Sequence, residues 1–283
     1  MIQSVSDFLN AIKTLKNEKI PNLKTIWFRG QPESGKDPIP SVFRDDNWAE
    51  DSITSVWLSQ YEYKVKNKFE ESFITRSSLS SEILNNPWLS YYVRQHYGIK
   101  TRLLDWTENP LVALYFAVSD RTDNVGKVFI LNAEGLNRKT TSYWPEINGQ
   151  KTSGIFRPHS ELKDIYKNDF HKYLTGDFNY NPDNNYFPLA IYPIRFDKRM
   201  DSQSACFTIF GNRRNGLKTI SDSNEILFEV EIAAEAKTDI LLELELLGIS
   251  RTRLFPDIQN LCEDIKSQME EERNNLILIT KLQ

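Results

Sequence analysis

The sequence predicts an α+β fold in which antiparallel or mixed β-sheets are flanked by helices. Strand-like runs come in segregated groups instead of in a regular βαβ alternation, and segments with helical hydrophobic spacing separate these groups. With 283 residues, of which 40% are hydrophobic and 12% aromatic, the chain can bury a full core as one large domain or as a domain with a cap.

Composition and missing motifs exclude several classes of protein. A net charge of −4 gives no global attraction to nucleic acid or to anionic membranes. Cys206 and Cys262 lie far apart in sequence, which is typical of reduced thiols in the cytoplasm. No apolar run approaches the roughly 18 residues of a membrane span, and the first residues have a helical pattern unlike a signal peptide. Glycine-rich phosphate loops and hydrolase motifs are missing, and three histidines make a metal site unexpected. We therefore expect a soluble cytoplasmic protein without a membrane partner.

The first half of the chain is predicted to contain three helical regions and one strand. An N-terminal helix is expected within residues 1–24, with Ser6 as its N-cap. The run at 25–30 has the composition of a strand. Helical spacing then resumes near Asp46, and a further helix is expected at 81–96.

A dense group of polar residues lies directly before an apolar helix predicted at 111–118. Asn109 is expected to cap this helix and Pro110 to occupy its first position. We expect the preceding residues to form a loop held at the helix N-terminus, where free N–H groups favour an anion. The polar side chains of this loop are those of His96, Thr101, Arg102, Asp105 and Thr107.

The second half returns to strands after an irregular segment. Residues 138–186 are rich in Asn, Asp, Tyr, Gly and Pro and are interpreted as an insert or lid with a short helix at 160–174. Strands are predicted at 126–132, 189–194, 206–210, 225–232 and 275–281, and helices at 234–247 and 257–272. The segment 271–283 is thus expected to end the chain as a strand.

Four blocks of the chain resemble, in order, those of the FRG domain family, which is named for a Phe-Arg-Gly triplet. They are WFRGQ at 27–31 with PSVFR at 40–44, QHYGIKTRLLDWTENPLVALYFA at 95–117, SQSACFTI at 202–209, and LGI at 247–249 with LFPD at 254–257. The resemblance implies an FRG domain over residues 25–270, interrupted by the insert. At Ser204-Ala205 the sequence departs from the family, which more often has a glycine there. Such domains occur in bacteria and phages, often in presumed defence or toxin contexts, and are largely uncharacterised.

The order of motifs is also similar, more distantly, to that of ADP-ribosyltransferases. This likeness implies NAD as a substrate, with Arg29 holding it and a hydroxyl of Thr107 or Thr101 supporting the nicotinamide ribose. Gln203, or a carboxylate of the 225–231 strand, would align the acceptor.

The residues themselves suit such chemistry. Arg29 and Arg44 could each bind a phosphate through two hydrogen bonds. Asp105 or Glu229 could stabilise positive charge on a ribose, and His96 could exchange a proton near neutral pH. The rings that could stack on a ligand are Trp27, Tyr97 and Trp106. The catalytic candidates are Arg29, His96, Asp105, Thr107 and Gln203, and the binding candidates are Arg29, Gln31, Arg44, Thr101, Arg102 and Asn109.

Structural roles are the alternative for each candidate. Arg29 and Asp105 could form a buried ion pair, His96 could be a hydrogen-bonded core residue, and Asn109 could only cap its helix. The function hypothesis also has alternatives. The first is an NAD- or nucleotide-binding ADP-ribosyltransferase or NAD glycohydrolase that acts as a toxin or in phage defence, on a macromolecular acceptor. A non-catalytic module that senses a ligand or a protein is the second. A nucleic-acid-processing enzyme, based on the basic loop at 211–218, is the third.

Overall fold

A six-stranded sheet forms the centre of the computed structural model, which describes residues 1–19, 25–44, 54–76, 80–120, 123–143, 154–158, 172–176, 186–220 and 225–281. The strands are β1 Ile26–Gln31, β2 Leu103–Thr107, β3 Gly126–Asn132, β4 Leu189–Ile191, β5 Ala205–Ile209 and β6 Leu227–Ile232. Their order is β4-β5-β2-β1-β3-β6, and every neighbouring pair is antiparallel. The predicted α+β class with an antiparallel sheet is confirmed.

Helices cover both faces of the sheet. They are α1 Val5–Lys19, α2 Thr54–Phe73, α3 Ser80–Asn85, α4 Pro87–His96, α5 Pro110–Val118, α6 Ala133–Thr141, α7 Lys198–Ser202, α8 Gly216–Ile220, α9 Lys237–Leu246, α10 Arg251–Leu254 and α11 Ile258–Lys281. Short 3-10 turns lie at Ser41–Phe43 and Ala234–Ala236. Within the described ranges, no helix combines the length and the apolar character that crossing a membrane requires.

The sheet separates two hydrophobic cores. Along β3, Phe129 and Leu131 enter the first core, whereas Val128 and Ile130 enter the second, as the two-residue period of a strand requires. Helices α2, α4 and α6 contribute to the first core, and α1, α5 and α9 contribute to the second.

Helix α5 lies unusually close to β1. Its start is as predicted, since the Asn109 side chain accepts a hydrogen bond from the Leu111 N–H and Pro110 occupies the first turn. A Cβ atom added at Gly30 would overlap the backbone carbonyl oxygen of Ala113. Gly30 is therefore the residue that allows α5 to pack directly on the strand.

Three predicted elements in the first half need correction. The segment expected as a polar loop contains strand β2. In this strand the exposed Asp105 lies between buried Leu104 and Trp106, and the many polar residues around it concealed the strand pattern. The helix predicted at 81–96 is two helices, since Asn86 caps a new helix that begins at Pro87. The N-terminal helix is capped by Ser4 rather than Ser6, and the Asp7 N–H donates to the Ser4 hydroxyl.

The predicted C-terminal strand at 275–281 is wrong. These residues continue α11, because neither glycine nor proline interrupts the chain between Ile258 and Lys281. Helix α6 occupies the start of the predicted insert. Most of the helix expected at 160–174 lies outside the described residues. The helical region expected from Asp46 begins at Thr54 in the described part, and residues 45–53 lie outside it.

Candidate functional site

The candidate site lies where β1 and β2 separate. These two strands are in register only at Phe28 and Thr107, whereas β1 pairs with β3 along its whole length. Beyond that pair, the Arg29 Nη1 donates a 2.8 Å hydrogen bond to the backbone oxygen of Asp105. A cavity of about 520 Å³, which we call the β1–β2 cavity, occupies this opening. Its volume is that of a small-molecule site.

The lining combines aromatic walls with a few charged and amide groups. The aromatic side chains are Phe28, Tyr92, Trp106, Phe116 and Phe207. The polar side chains are Arg29, Gln95, His96, Asp105, Thr107, Arg199 and Gln203. All five catalytic candidates named from the sequence therefore line one cavity. In the described part of the chain, no group of three or more His, Cys, Asp or Glu side chains could hold a metal ion.

Arg29 is a largely buried cation with few protein partners. Its side chain is 15% exposed, and the Asp105 carboxylate oxygen lies 3.9 Å from Nη1, beyond hydrogen-bond length. Its Nε is buried, and no described residue accepts a hydrogen bond from it. Burial lowers the pKa of Arg29 to about 10, Asp105 opposes this shift, and the nearby positive charge of Arg44 adds to it. A guanidinium in this state favours a bound anion.

Asp105 supplies the carboxylate of the cavity and is held at its mouth. Its side chain is 59% exposed, and the Gln95 Nε2 lies 3.2 Å from both carboxylate oxygens. Thr101 donates its hydroxyl proton to the Gln95 Oε1 at 2.5 Å. Because that oxygen must face a donor, Thr101 fixes which end of the amide faces Asp105.

His96 connects α4 to α7. Its Nε2 lies 2.7 Å from one carboxylate oxygen of Asp197, whose other oxygen accepts from the Met200 N–H and caps α7. Burial lowers the pKa of His96, and Asp197 opposes this shift only in part. The imidazole is therefore neutral at pH 7, with its Nε2–H donated to Asp197.

Thr107 and Gln203 are joined at the cavity wall. The Thr107 hydroxyl donates to the Gln203 backbone oxygen at 2.7 Å and accepts from the Asn109 N–H at 3.0 Å. The Gln203 Nε2 donates to the Leu254 carbonyl oxygen at 3.0 Å. Since a carbonyl can only accept, the amide nitrogen of Gln203 must face Leu254, and Oε1 remains as its acceptor.

Five predicted binding residues are absent from the described lining of the cavity and have structural bonds instead. Arg102 pairs with Glu62 inside the first core, Thr101 orients Gln95, and Asn109 caps α5. The Gln31 amide donates to the Asp37 carbonyl, and the Arg44 Nε donates to the Ile39 carbonyl. Each of these side chains bonds within the protein, and proximity in sequence to the lining residues did not bring it to the site.

Most other candidates also lie elsewhere. Glu229 pairs with Lys127 at 2.6 Å on β3 and β6, and Trp27 is fully buried in the first core. Tyr97 is exposed and packs against the His96 ring. Lys218, from the basic loop, pairs with Asp37 at 2.5 Å. Of the three stacking candidates, only Trp106 lines the cavity.

Sequence reasoning missed several lining residues, among them Gln95, Tyr92 and Arg199. Tyr92 is 1% exposed, stacks on Phe207 with ring centres 5.6 Å apart, and its hydroxyl has no partner among the described residues. Arg199 lies in α7, four positions before Gln203. No local pattern marks Arg199, whereas Tyr92 could have been found from the apolar face of α4.

The fold and the cavity define a class: an α+β domain whose antiparallel sheet opens between two strands around a site of small-molecule size. Residues 24–125 match the model of the FRG domain, so the chain carries an FRG domain. In the triplet, Phe28 packs in the second core, Arg29 lines the cavity and Gly30 admits α5. The extension of the domain to residue 270 stays a prediction. No curated protein and no solved structure matches the chain.

Proposed function

We propose that the protein binds NAD or a related nucleotide in the β1–β2 cavity and hydrolyses or transfers its ADP-ribosyl group. The observation that carries the proposal is the state of Arg29, a desolvated guanidinium at the cavity with one carbonyl partner and a long ion pair. A phosphate would supply the missing acceptors through charge-assisted hydrogen bonds.

The charges of the cavity complement those of NAD. Arg29 and Arg199 are cations, Asp105 is an anion and His96 is neutral. NAD carries two negative phosphate charges and a positively charged nicotinamide ring. The aromatic wall formed by Tyr92 and Phe207 suits the stacking of a planar base or ring.

The proposed reaction breaks the bond between the ribose C1′ and the nicotinamide nitrogen. The electron pair of that bond leaves with nicotinamide, and positive charge develops on the ribose. Asp105 would stabilise this charge, because it is a carboxylate on the cavity wall and Gln95 holds both of its oxygens. Water, or a hydroxyl of an acceptor, then bonds to C1′ and releases a proton to solvent.

In this proposal the other candidates hold the cavity wall or orient the ligand. His96 donates its Nε2 proton to Asp197 and so holds α7 against α4. Thr107 fixes the Gln203 backbone. The Gln203 Oε1 is the acceptor for a ligand hydroxyl, since its amide nitrogen is held by Leu254.

A non-catalytic sensing module is the second candidate, and a specific observation favours it. The Thr107 hydroxyl and the His96 Nε2 are both engaged within the protein. Asp105 is the carboxylate of the described lining, so few side chains there are available for catalysis. Such a module would bind the ligand through Arg29 without breaking it.

We further propose that the protein acts in the cytoplasm as a toxin or a phage-defence effector. Both cysteines, buried Cys206 and exposed Cys262, are free thiols, which suits a reducing compartment. The wider role rests on the contexts of FRG domains.

Calorimetric titration with NAD, followed by an assay for released nicotinamide, tests the proposal. We expect binding by the wild type, loss of nicotinamide release in Asp105→Asn, and weaker binding by Arg29→Gln. Arg195→Gln is a matched control, because Arg195 lies outside the described lining and pairs with Glu108 and Asp201. Binding without turnover would select the sensing module. No binding at millimolar NAD would remove both candidates.

A further inference from the structure

A second cation of the β1–β2 cavity, Arg199, lies on the wall that α7 forms. Arg29 reaches the same cavity from β1, so the two guanidinium groups belong to different elements. Arg199 makes no side-chain hydrogen bond or ion pair with any residue in the described ranges; its guanidinium lies over the Phe255 ring, 4.6 Å from the centre.

This stacking holds Arg199 without using its N–H groups. A cation over a ring face is attracted by the ring, whereas its hydrogen-bond donors lie in the guanidinium plane and stay available. Phe255 is supported in turn by Phe116, whose ring is 6.0 Å away at 84° and lines the cavity. Arg199 is therefore pre-oriented before any ligand binds.

Three acidic groups lie near Arg199. Asp257 interacts with it electrostatically, and none of the three is within ion-pair distance of its guanidinium in the described ranges. Asp197 is engaged by His96 and by the Met200 N–H, and Asp201 pairs with Arg195 at 3.1 Å. Arg199 thus has aromatic support and no hydrogen-bonded carboxylate in the described ranges, so its N–H groups can form charge-assisted hydrogen bonds with an anion.

We infer that Arg199 is the second anion-binding residue of this cavity and that the ligand is held by a diphosphate, with one phosphate on Arg29 and the other on Arg199. This inference rests on the proposed function and names the part of the nucleotide that the two arginines recognise. It predicts a preference for nucleoside diphosphates over monophosphates.

Titration of the full chain with ADP and with AMP tests it. The wild type should bind ADP about tenfold more tightly than AMP, as one additional charge-assisted pair provides. Arg199→Gln should remove most of this preference and leave AMP affinity nearly unchanged. Phe255→Leu should weaken ADP binding by a smaller factor, because the arginine remains but loses its support. Arg76→Gln is the control and should behave as wild type, because Arg76 is exposed and lies outside the described lining.

Two outcomes overturn the inference while the proposed function stands: Arg199→Gln binds ADP as wild type does, or it loses ADP and AMP equally. If the folded wild type binds neither ADP, AMP nor NAD, the proposed function fails as well. Unfolding by urea, followed for each variant, shows that a lost affinity is not lost structure.

Discussion

Arg29 and Arg102 are two arginines of the FRG domain, the first largely and the second fully buried, and their partners differ. Arg102 donates from Nε and Nη2 to the two carboxylate oxygens of Glu62 at 2.9 and 2.8 Å, and to the carbonyls of Phe210 and Tyr173. Burial lowers the pKa of Arg102, but Glu62 and the other partners more than offset this, so its pKa is raised. At Arg29 burial prevails, and the pKa falls to about 10.

This difference separates a structural charge from a binding charge. Removing water from a cation is compensated at Arg102 by acceptors of the protein itself, so that site stabilises the fold. At Arg29 the compensation is incomplete, and a ligand can complete it. Burial alone therefore does not identify a functional arginine; the partners of each N–H do.

The largest effect is expected for Arg102→Ala. It leaves Glu62 buried without its partner and should lower the free energy of unfolding by about 3–5 kcal/mol. Arg29→Ala removes a single carbonyl bond and should cost about 1 kcal/mol or less. Urea unfolding of both variants measures the contrast, and equal losses would abolish the distinction.

Gly30→Ala should lower stability by about 1–3 kcal/mol, since the new methyl group forces α5 away from β1. The shift also deforms the cavity wall at Val112 and Ala113, so ligand binding should weaken too. Gly35→Ala is the matched control, because no atom lies within 4 Å of the added carbon. Similar thermal stability for both variants would contradict the close packing.

Ser204→Gly should raise stability by about 1 kcal/mol. Ser204 has a φ of 47°, a left-handed conformation that a side chain disfavours and glycine adopts freely. Ser204 belongs to the pair Ser204-Ala205 at which the sequence departs from the family pattern, beside Gln203 of the cavity wall. The same change at Ser142, with a φ of −64°, should destabilise instead. Chemical denaturation compares the two, and a loss at Ser204 would show that no strain is relieved.

The smallest effect is expected for His96, as a pH dependence of the free energy of unfolding. Its folded pKa lies below the ordinary 6.5 because of burial, so the unfolded chain takes up the proton first. The contribution of His96 to the free energy of unfolding is therefore complete above about pH 6.5 and is lost as the pH falls through the folded pKa. His96→Gln should lose less stability than wild type between about pH 7 and pH 5. An identical loss in both proteins would mean that His96 titrates normally.

The sequence predicted most elements and the five catalytic candidates that line the cavity, but it did not predict the partners of the polar side chains. The α5 cap and the strand expected at 225–232 depend on local patterns, and both are confirmed. Arg29, Asp105 and Gln203 were expected at one site because of the order of their motifs along the chain. The structure brings them to one cavity, and their roles stay predictions.

The remaining features depend on distant contacts. Arg102 looked like a ligand residue because its partner Glu62 lies 40 positions earlier and is marked by no motif. Arg199 was missed because its support, Phe255, belongs to another block of the chain. Strand β2 was missed because its pairing with β1 and β5 outweighs the local polar composition.

The most direct test of the account is the affinity of NAD for Arg29→Gln relative to wild type, with unfolding followed in parallel. We predict binding at least about tenfold weaker, with the free energy of unfolding changed by no more than about 1 kcal/mol. Equal affinities in the two folded proteins would contradict the claim that the uncompensated charge of Arg29 holds the ligand.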